Sequence, residues 1–188
     1  MELVSEAIAF AVKAHDGMRR KKSEAPYILH PMEAAVIVGT MTDDQSLIAA
    51  AALHDVVEDA GVTIEEIEAK FGKRVRELVE METEDKRADL PPEDTWRIRK
   101  EESLSVLKNA EDVAVLMVWL GDKLANMRAI YRDFKLEGNA MWQRFNQKDV
   151  NEQAWYYRSI VELTERLSST SAWLEYKTLT ELVFGKGV

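Results

Sequence analysis

Apolar residues recur at intervals of three and four along almost the whole chain. No stretch alternates apolar with polar as a half-buried strand would. Val4, Ile8, Ala11 and Val12 put one stripe on a first helix. The segment from Asp16 to Tyr27 reads as a polar loop carrying the basic cluster Arg19, Arg20, Lys21 and Lys22. Pro31 suits the first turn of a second helix running through Val38, where a missing N–H has no helical partner to lose. Asp43 or Asp44 caps an Ala-rich third helix from Gln45 to about Asp59, which Gly61 ends. Thr63-Ile64-Glu65-Glu66 has the form of a capping box opening a short helix to Lys70. Gly72 interrupts the pattern, and Lys73 to Met81 continues as another helix. Glu82 to Pro92, charged and ending in Pro91-Pro92, is predicted to be an exposed loop. Further helices are predicted from Pro92 to Asn109, Glu111 to Phe134, Asp149 to Leu167 and Ser171 to Phe184, with a turn at Gly138-Asn139. The expected fold is all-α, a single-domain bundle of about ten helices over residues 1–188.

Composition narrows the function. The net charge is −9, from 34 acidic and 25 basic residues, which argues against a general nucleic-acid binder but leaves room for a local basic pocket. With no cysteine, disulfides, thiolate metal sites and a cysteine nucleophile are excluded. The longest apolar run, Val113 to Leu120, is far short of the ~20 residues of a membrane span. The first residues, with Glu2, Glu6 and Lys13 among apolar ones, lack the form of a signal peptide, so the cytoplasm is the expected location.

The chemistry concentrates around two of the three histidines. In Leu53-His54-Asp55-Val56-Val57-Glu58-Asp59, an uninterrupted helix places His54, Asp55, Glu58 and Asp59 within an arc of about 140°. One imidazole and three carboxylates on one face call either for a divalent cation or for a solvated helix end, and this segment alone leaves both open. Acidic groups near a helix C-terminus oppose its dipole, which makes the cluster unfavourable without a reason. His30, in Pro26-Tyr27-Ile28-Leu29-His30-Pro31, stands directly before the expected second helix and is free to turn inward. Asp122 follows the eight apolar residues of what reads as a central helix, where a lone carboxylate costs several kcal/mol unless it is paired or metal-bound. Asn126 lies one turn further on the same face.

Taken together, these residues resemble the HD phosphohydrolase pattern of a His, a His-Asp doublet and a distant Asp. More narrowly, PYILHP, HDVVEDAGVT, FGKRVRELVE and GDKLANMRAI are similar in order and spacing to the hydrolase domain of the RelA/SpoT family. The likeness runs from about residue 4 to residue 167, leaving 168–188 as a C-terminal helix, and is similar to the stand-alone small alarmone hydrolases, including the Mesh-type enzymes. The resemblance implies an HD-type bundle and a manganese-dependent hydrolase that removes pyrophosphate from the 3′ position of (p)ppGpp. Carried over by motif, His30, His54, Asp55 and Asp122 are the Mn²⁺ ligands, and Glu58 and Asp59 orient and activate the attacking water. Arg20, Lys21, Lys22 and Asn126 are the implied substrate contacts. A small-molecule nucleotide is then the expected partner, with no nucleic acid and no membrane; a homodimer is compatible with the sequence.

The departures lie on the nucleoside side. Ala125 stands where many members have His, Ala129 where many have Thr, and Gly121 replaces a usual Ala. An HD phosphohydrolase of an adenine alarmone or of NADPH is therefore an alternative, and a non-catalytic nucleotide sensor a third. His15, on the apolar stripe of the first helix, reads as a buried histidine with a local hydrogen bond. Lys86 and Arg87 read as solvated, with contact to substrate phosphates as the lesser alternative; Trp142, Trp155, Tyr156, Tyr157 and Trp173 read as helix packing, with one of the 153–157 aromatics left open as a nucleoside-pocket residue; and Met117, Met127 and Met141 read as core filler.

Overall fold

A computed structural model describes residues 2–20, 24–87 and 89–186. Among them are nine α-helices, two 3-10 helices and no strand, so the all-α expectation holds. In chain order the α-helices are α1 (Leu3–Ala14), α2 (Leu29–Gly39), α3 (Gln45–Leu53), α4 (Val56–Asp59), α5 (Ile64–Glu82), α6 (Pro92–Asn109), α7 (Val113–Glu137), α8 (Val150–Leu163) and α9 (Ser171–Phe184).

Local chemistry sets several of the boundaries. Asp44 caps α3 by accepting the Ser46 N–H at 2.8 Å. Thr63 and Glu66 form the expected reciprocal box at the start of α5. Gly72 has φ 84° and ψ 168°, a non-helical conformation that suits a residue without Cβ, and it breaks α5 into two helical segments as the sequence predicts. Pro92 occupies the first turn of α6.

Helix α7 runs through the centre and packs against α2, α3, α5 and α9. Its apolar first half, from Ala114 to Leu120, is buried apart from Met117, and Met127 and Met141 are fully enclosed. The four alanines Ala49–Ala52 of α3 are buried as well, and their small size lets α1, α2, α5 and α7 converge on this short helix. Gly121 marks the tightest crossing. A Cβ there would lie 2.6 Å from Val38 Cγ2 and 3.0 Å from the Ala34 carbonyl oxygen on α2. Gly121→Ala is expected to lower stability by about 1–2 kcal/mol, because overpacking exceeds the gain in helix propensity. The midpoint and slope of a urea titration would measure it; an unchanged midpoint would mean that α2 yields freely.

Two boundaries differ from the sequence reading. His30 lies inside the first turn of α2, which begins at Leu29. The third helix is not continuous to Asp59. It stops at Leu53, and α4 begins at Val56; His54 and Asp55 between them keep right-handed backbone angles, Asp55 at the loose edge of that region with φ −92° and ψ −7°. The interruption leaves His54, Asp55, Glu58 and Asp59 lining one cavity.

Candidate functional site

Three segments bring four donor atoms together. His30 comes from α2, His54 and Asp55 from the α3–α4 turn, and Asp122 from the middle of α7. His30 Nε2 is 2.9 Å from Asp122 Oδ1, 3.3 Å from His54 Nε2 and 3.5 Å from Asp55 Oδ2. His54 Nε2 is 3.1 Å from Asp55 Oδ2 and 3.5 Å from Asp122 Oδ1. His30, His54 and Asp122 are buried, and they form a metal-capable group on their own. Metal–donor bonds of about 2.0–2.2 Å put neighbouring octahedral ligands about 2.8–3.1 Å apart, so the donor spacing fits a divalent cation. The His54 Nδ1–H donates to the Ala51 carbonyl at 2.8 Å, which turns the Nε2 lone pair inward.

The electrostatics agree. Burial works against a charged His54, yet the Asp55 and Asp122 carboxylates hold its proton well above the usual imidazole range. Burial also opposes ionised Asp55 and Asp122. Asp55 is held low chiefly by His54, and Asp122 by Lys123 and the two histidines. The pocket demands positive charge at its centre, and a divalent cation supplies it through mixed N and O donors.

A carboxylate pair adjoins this cluster. The Tyr27 hydroxyl lies 2.7 Å from both Asp55 Oδ2 and Asp59 Oδ2, so one O–H is shared between the donor cluster and α4. Glu58 Oε1 accepts the Glu84 N–H at 2.6 Å. Burial pushes the Glu58 carboxyl up, against the Glu84 N–H and the Lys86 charge. Lys86 Nζ is 3.3 Å from Glu58 Oε2 and also bonds Asp59 Oδ1. Behind the cluster, Lys123 bridges Asp122 and Glu82, at 3.2 Å from the latter. Burial pushes the Glu82 carboxyl up to about 7, and its Oε2 is enclosed without a partner. Glu84 gathers Arg99, Lys100 and Ser103 from α6.

Two adjoining cavities open onto these groups, one of about 280 Å³ over the donor cluster and one of about 820 Å³ beside it. Arg20, Tyr27, His30, Asp59, Lys86 and Asn126 line both. The larger volume suits a ligand of nucleotide size. Arg20 donates to Asn126 Oδ1 at 3.1 Å and stacks over the Tyr27 ring, while Asn126 donates to Asp122 Oδ1 at 2.6 Å. Arg20 and Asn126 thus meet beside the donor cluster; Lys21 and Lys22 lie outside the described residues. Tyr157 and Gln153 reach the wall of the larger cavity, and Trp142, Tyr156 and Trp173 are packed in the core. His15 is buried, with its Nδ1–H donated to the Ala11 carbonyl at 3.0 Å.

The charged loop is exposed at Asp85, Lys86 and 89–92, as expected, but it is tied down: Glu82 is buried at the end of α5, Glu84 is enclosed by α6, and the half-exposed Lys86 pairs with Glu58 and Asp59. Arg87 pairs with Glu102. Tyr27 is the site residue that sequence reasoning passed over, although it precedes His30 by three residues and so shares its side of the chain. Lys86 reads from sequence only as a solvated residue, with substrate contact as the lesser alternative, because its partners are distant in sequence.

An HD domain family model matches residues 7–149. The chain is 35% identical, over 190 aligned residues covering 99% of it and 96% of the relative, to the guanosine-3′,5′-bis(diphosphate) 3′-pyrophosphohydrolase MESH1 of Xenopus tropicalis. It is 38% identical over 128 residues to the GTP pyrophosphokinase rsh of Brucella ovis. That match covers 68% of this chain and only 17% of the relative's length. The solved structure of a metazoan ortholog of SpoT superposes with a TM-score of 0.76 over 99% of this chain and 98% of that one, and at 24% identity it carries the fold.

Proposed function

We propose that this chain, a member of the HD domain family, is a manganese-dependent (p)ppGpp 3′-pyrophosphohydrolase of the small alarmone hydrolase kind. The observation that carries this reading is the junction of the two cavities. There a buried two-His, two-Asp donor set adjoins a carboxylate with a raised pKa, at one end of a nucleotide-sized space. His30, His54, Asp55 and Asp122 would hold Mn²⁺. That ion, when bound, offsets charge on the attacked phosphoryl group and acidifies water.

In this reading Glu58 is the base. Its raised pKa brings it nearer the working pH, and it lies beside the donor cluster without belonging to it. Water adds through oxygen to the proximal phosphorus of the 3′-pyrophosphate, and Glu58 takes its proton. The bond from phosphorus to the ribose 3′-oxygen breaks, that oxygen is protonated, and GDP or GTP leaves with pyrophosphate. Asp59 and Tyr27 keep α4 in register with the donor cluster through the shared hydroxyl. Arg20 and Asn126 meet the nucleoside side, with Lys21 and Lys22 as further phosphate contacts carried over from the motif.

Product analysis of the Mn²⁺-loaded protein with ppGpp, ppApp and NADPH side by side tests the reading. Pyrophosphate release from ppGpp is expected. Cleavage of one of the other two alone would move the activity to that nucleotide. Ala125 and Ala129 line the larger cavity and offer no side-chain hydrogen bond that would select guanine, so an adenine alarmone is the second reading. The pH dependence gives a separate check. A base with a raised pKa makes kcat/KM fall in acid, with the midpoint of that limb above the ordinary carboxylate value of 4.5. A pH–rate profile whose acid limb lies at or below 4.5 would remove Glu58 from this role.

A further inference from the structure

We infer that Lys86 is a catalytic residue that exchanges partners during turnover. At rest its ammonium sits on Glu58 and Asp59. With substrate bound, it moves onto the distal phosphate of the pyrophosphoryl group being removed. The inference rests on the hydrolase reading above and concerns a residue that reading leaves without a role.

Location comes first. Lys86 lines both cavities and stands at their junction, beside the two carboxylates next to the donor cluster. Its side chain is 42% exposed, so an incoming anion reaches it without unfolding anything. Availability comes second. Among the described residues, the other cations lining the smaller cavity are Arg20, Arg99, Lys100 and Lys123. Arg99 and Lys100 are bound to Glu84, and Lys123 to Asp122 and Glu82, with all three side chains 19% exposed or less. Arg20 is directed at Asn126. Lys86 is the half-exposed cation at this end.

The argument from chemistry is the strongest. An ammonium resting on a carboxylate makes that carboxylate a poorer base, because it stabilises the ionised form. Glu58 therefore takes a proton best once Lys86 has left it. A pyrophosphoryl group carries more negative charge than the carboxylate pair can present to one ammonium, and it arrives at the same junction. Moving Lys86 onto it frees the base and offsets charge on the electrophile in one step. No bond to Lys86 forms or breaks, and its proton stays on nitrogen.

The test uses the whole Mn²⁺-loaded protein, with inorganic pyrophosphate as the probe and Lys86→Met and Lys86→Arg as variants. Calorimetry is expected to show pyrophosphate binding at least tenfold weaker in Lys86→Met and largely restored in Lys86→Arg, with Mn²⁺ affinity unchanged. The same pair measured in an Asp59→Asn background separates contact from mere charge balance. An effect of Lys86→Met that persists there supports contact with the phosphate. Its disappearance there, or unchanged pyrophosphate affinity in the single variant, overturns the inference and leaves Lys86 a fixed partner of α4. Wild-type protein that cleaves ppGpp while Lys86→Met binds pyrophosphate normally would refute this inference and leave the hydrolase reading intact. Wild-type protein inert towards ppGpp would refute the hydrolase reading instead.

Discussion

Alanine at Asp122, or at His54, is expected to abolish divalent-cation binding and turnover together. Each side chain supplies one of the four convergent donor atoms, and nothing nearby replaces it. Loss of a partner that only orients a ligand costs a metal site about 10–100-fold in affinity, so loss of a ligand should exceed that range. Asp122 has a second duty, since its other oxygen holds Lys123, a largely buried ammonium that also faces Glu82. Alanine there breaks a buried pair and should cost about 3–5 kcal/mol of stability. Asp122→Asn keeps the shape and removes the charge, and His54→Ala leaves the Lys123 pair intact. Mn²⁺ titration by calorimetry, run beside a thermal melt, distinguishes lost coordination from lost fold. An Asn variant with wild-type Mn²⁺ affinity would take Asp122 out of the ligand set.

Glu58→Gln should separate the metal from the chemistry. The amide oxygen can still accept the Glu84 N–H, so the loop that carries Lys86 keeps its anchor. None of the four donor atoms depends on Glu58, and Mn²⁺ affinity should stay within about twofold of wild type. The rate should fall by about 10²–10⁴, the usual contribution of a positioned general base. Single-turnover kinetics on the metal-loaded variant would measure the loss at the chemical step. A normal rate would pass the base role to Asp59. At rest both carboxylates are engaged at both oxygens, Asp59 by Tyr27 and Lys86, and Glu58 by the Glu84 N–H and Lys86.

Much of the fold could be read from local signals. The Thr63–Glu66 box, Pro92 at the start of α6 and Gly72 at the kink each satisfy a constraint contained within a few residues. The donor set was legible for a related reason. A histidine beside a helix start, a His-Asp doublet after buried alanines and a carboxylate after eight apolar residues each break the local pattern at an energetic cost. The surroundings of the site could not be read the same way. Glu84 and Lys86 look like solvated loop residues until α6 and α4 close on them, and that pairing spans 15–28 positions. The resemblance to the RelA/SpoT hydrolases supplied the order of the motifs and not these contacts. The end of α3 was placed too late because residues 45–59 are rich in helix formers, and His54 and Asp55 keep right-handed backbone angles through the turn that interrupts the helix.

That turn sets protein engineering and biology against each other. Residues 45–59 are rich in helix formers, and a designer seeking heat resistance would be drawn to join α3 and α4 into one helix. The added backbone hydrogen bonds would raise the melting temperature. On a regular helix, however, the His54 and Asp55 side chains would leave the axis about 100° apart, and the 3.1 Å approach of His54 Nε2 to Asp55 Oδ2 would have to be rebuilt. Selection for folding alone would thus accumulate changes here that yield robust, inert protein, whereas selection for turnover keeps the irregularity in spite of its cost.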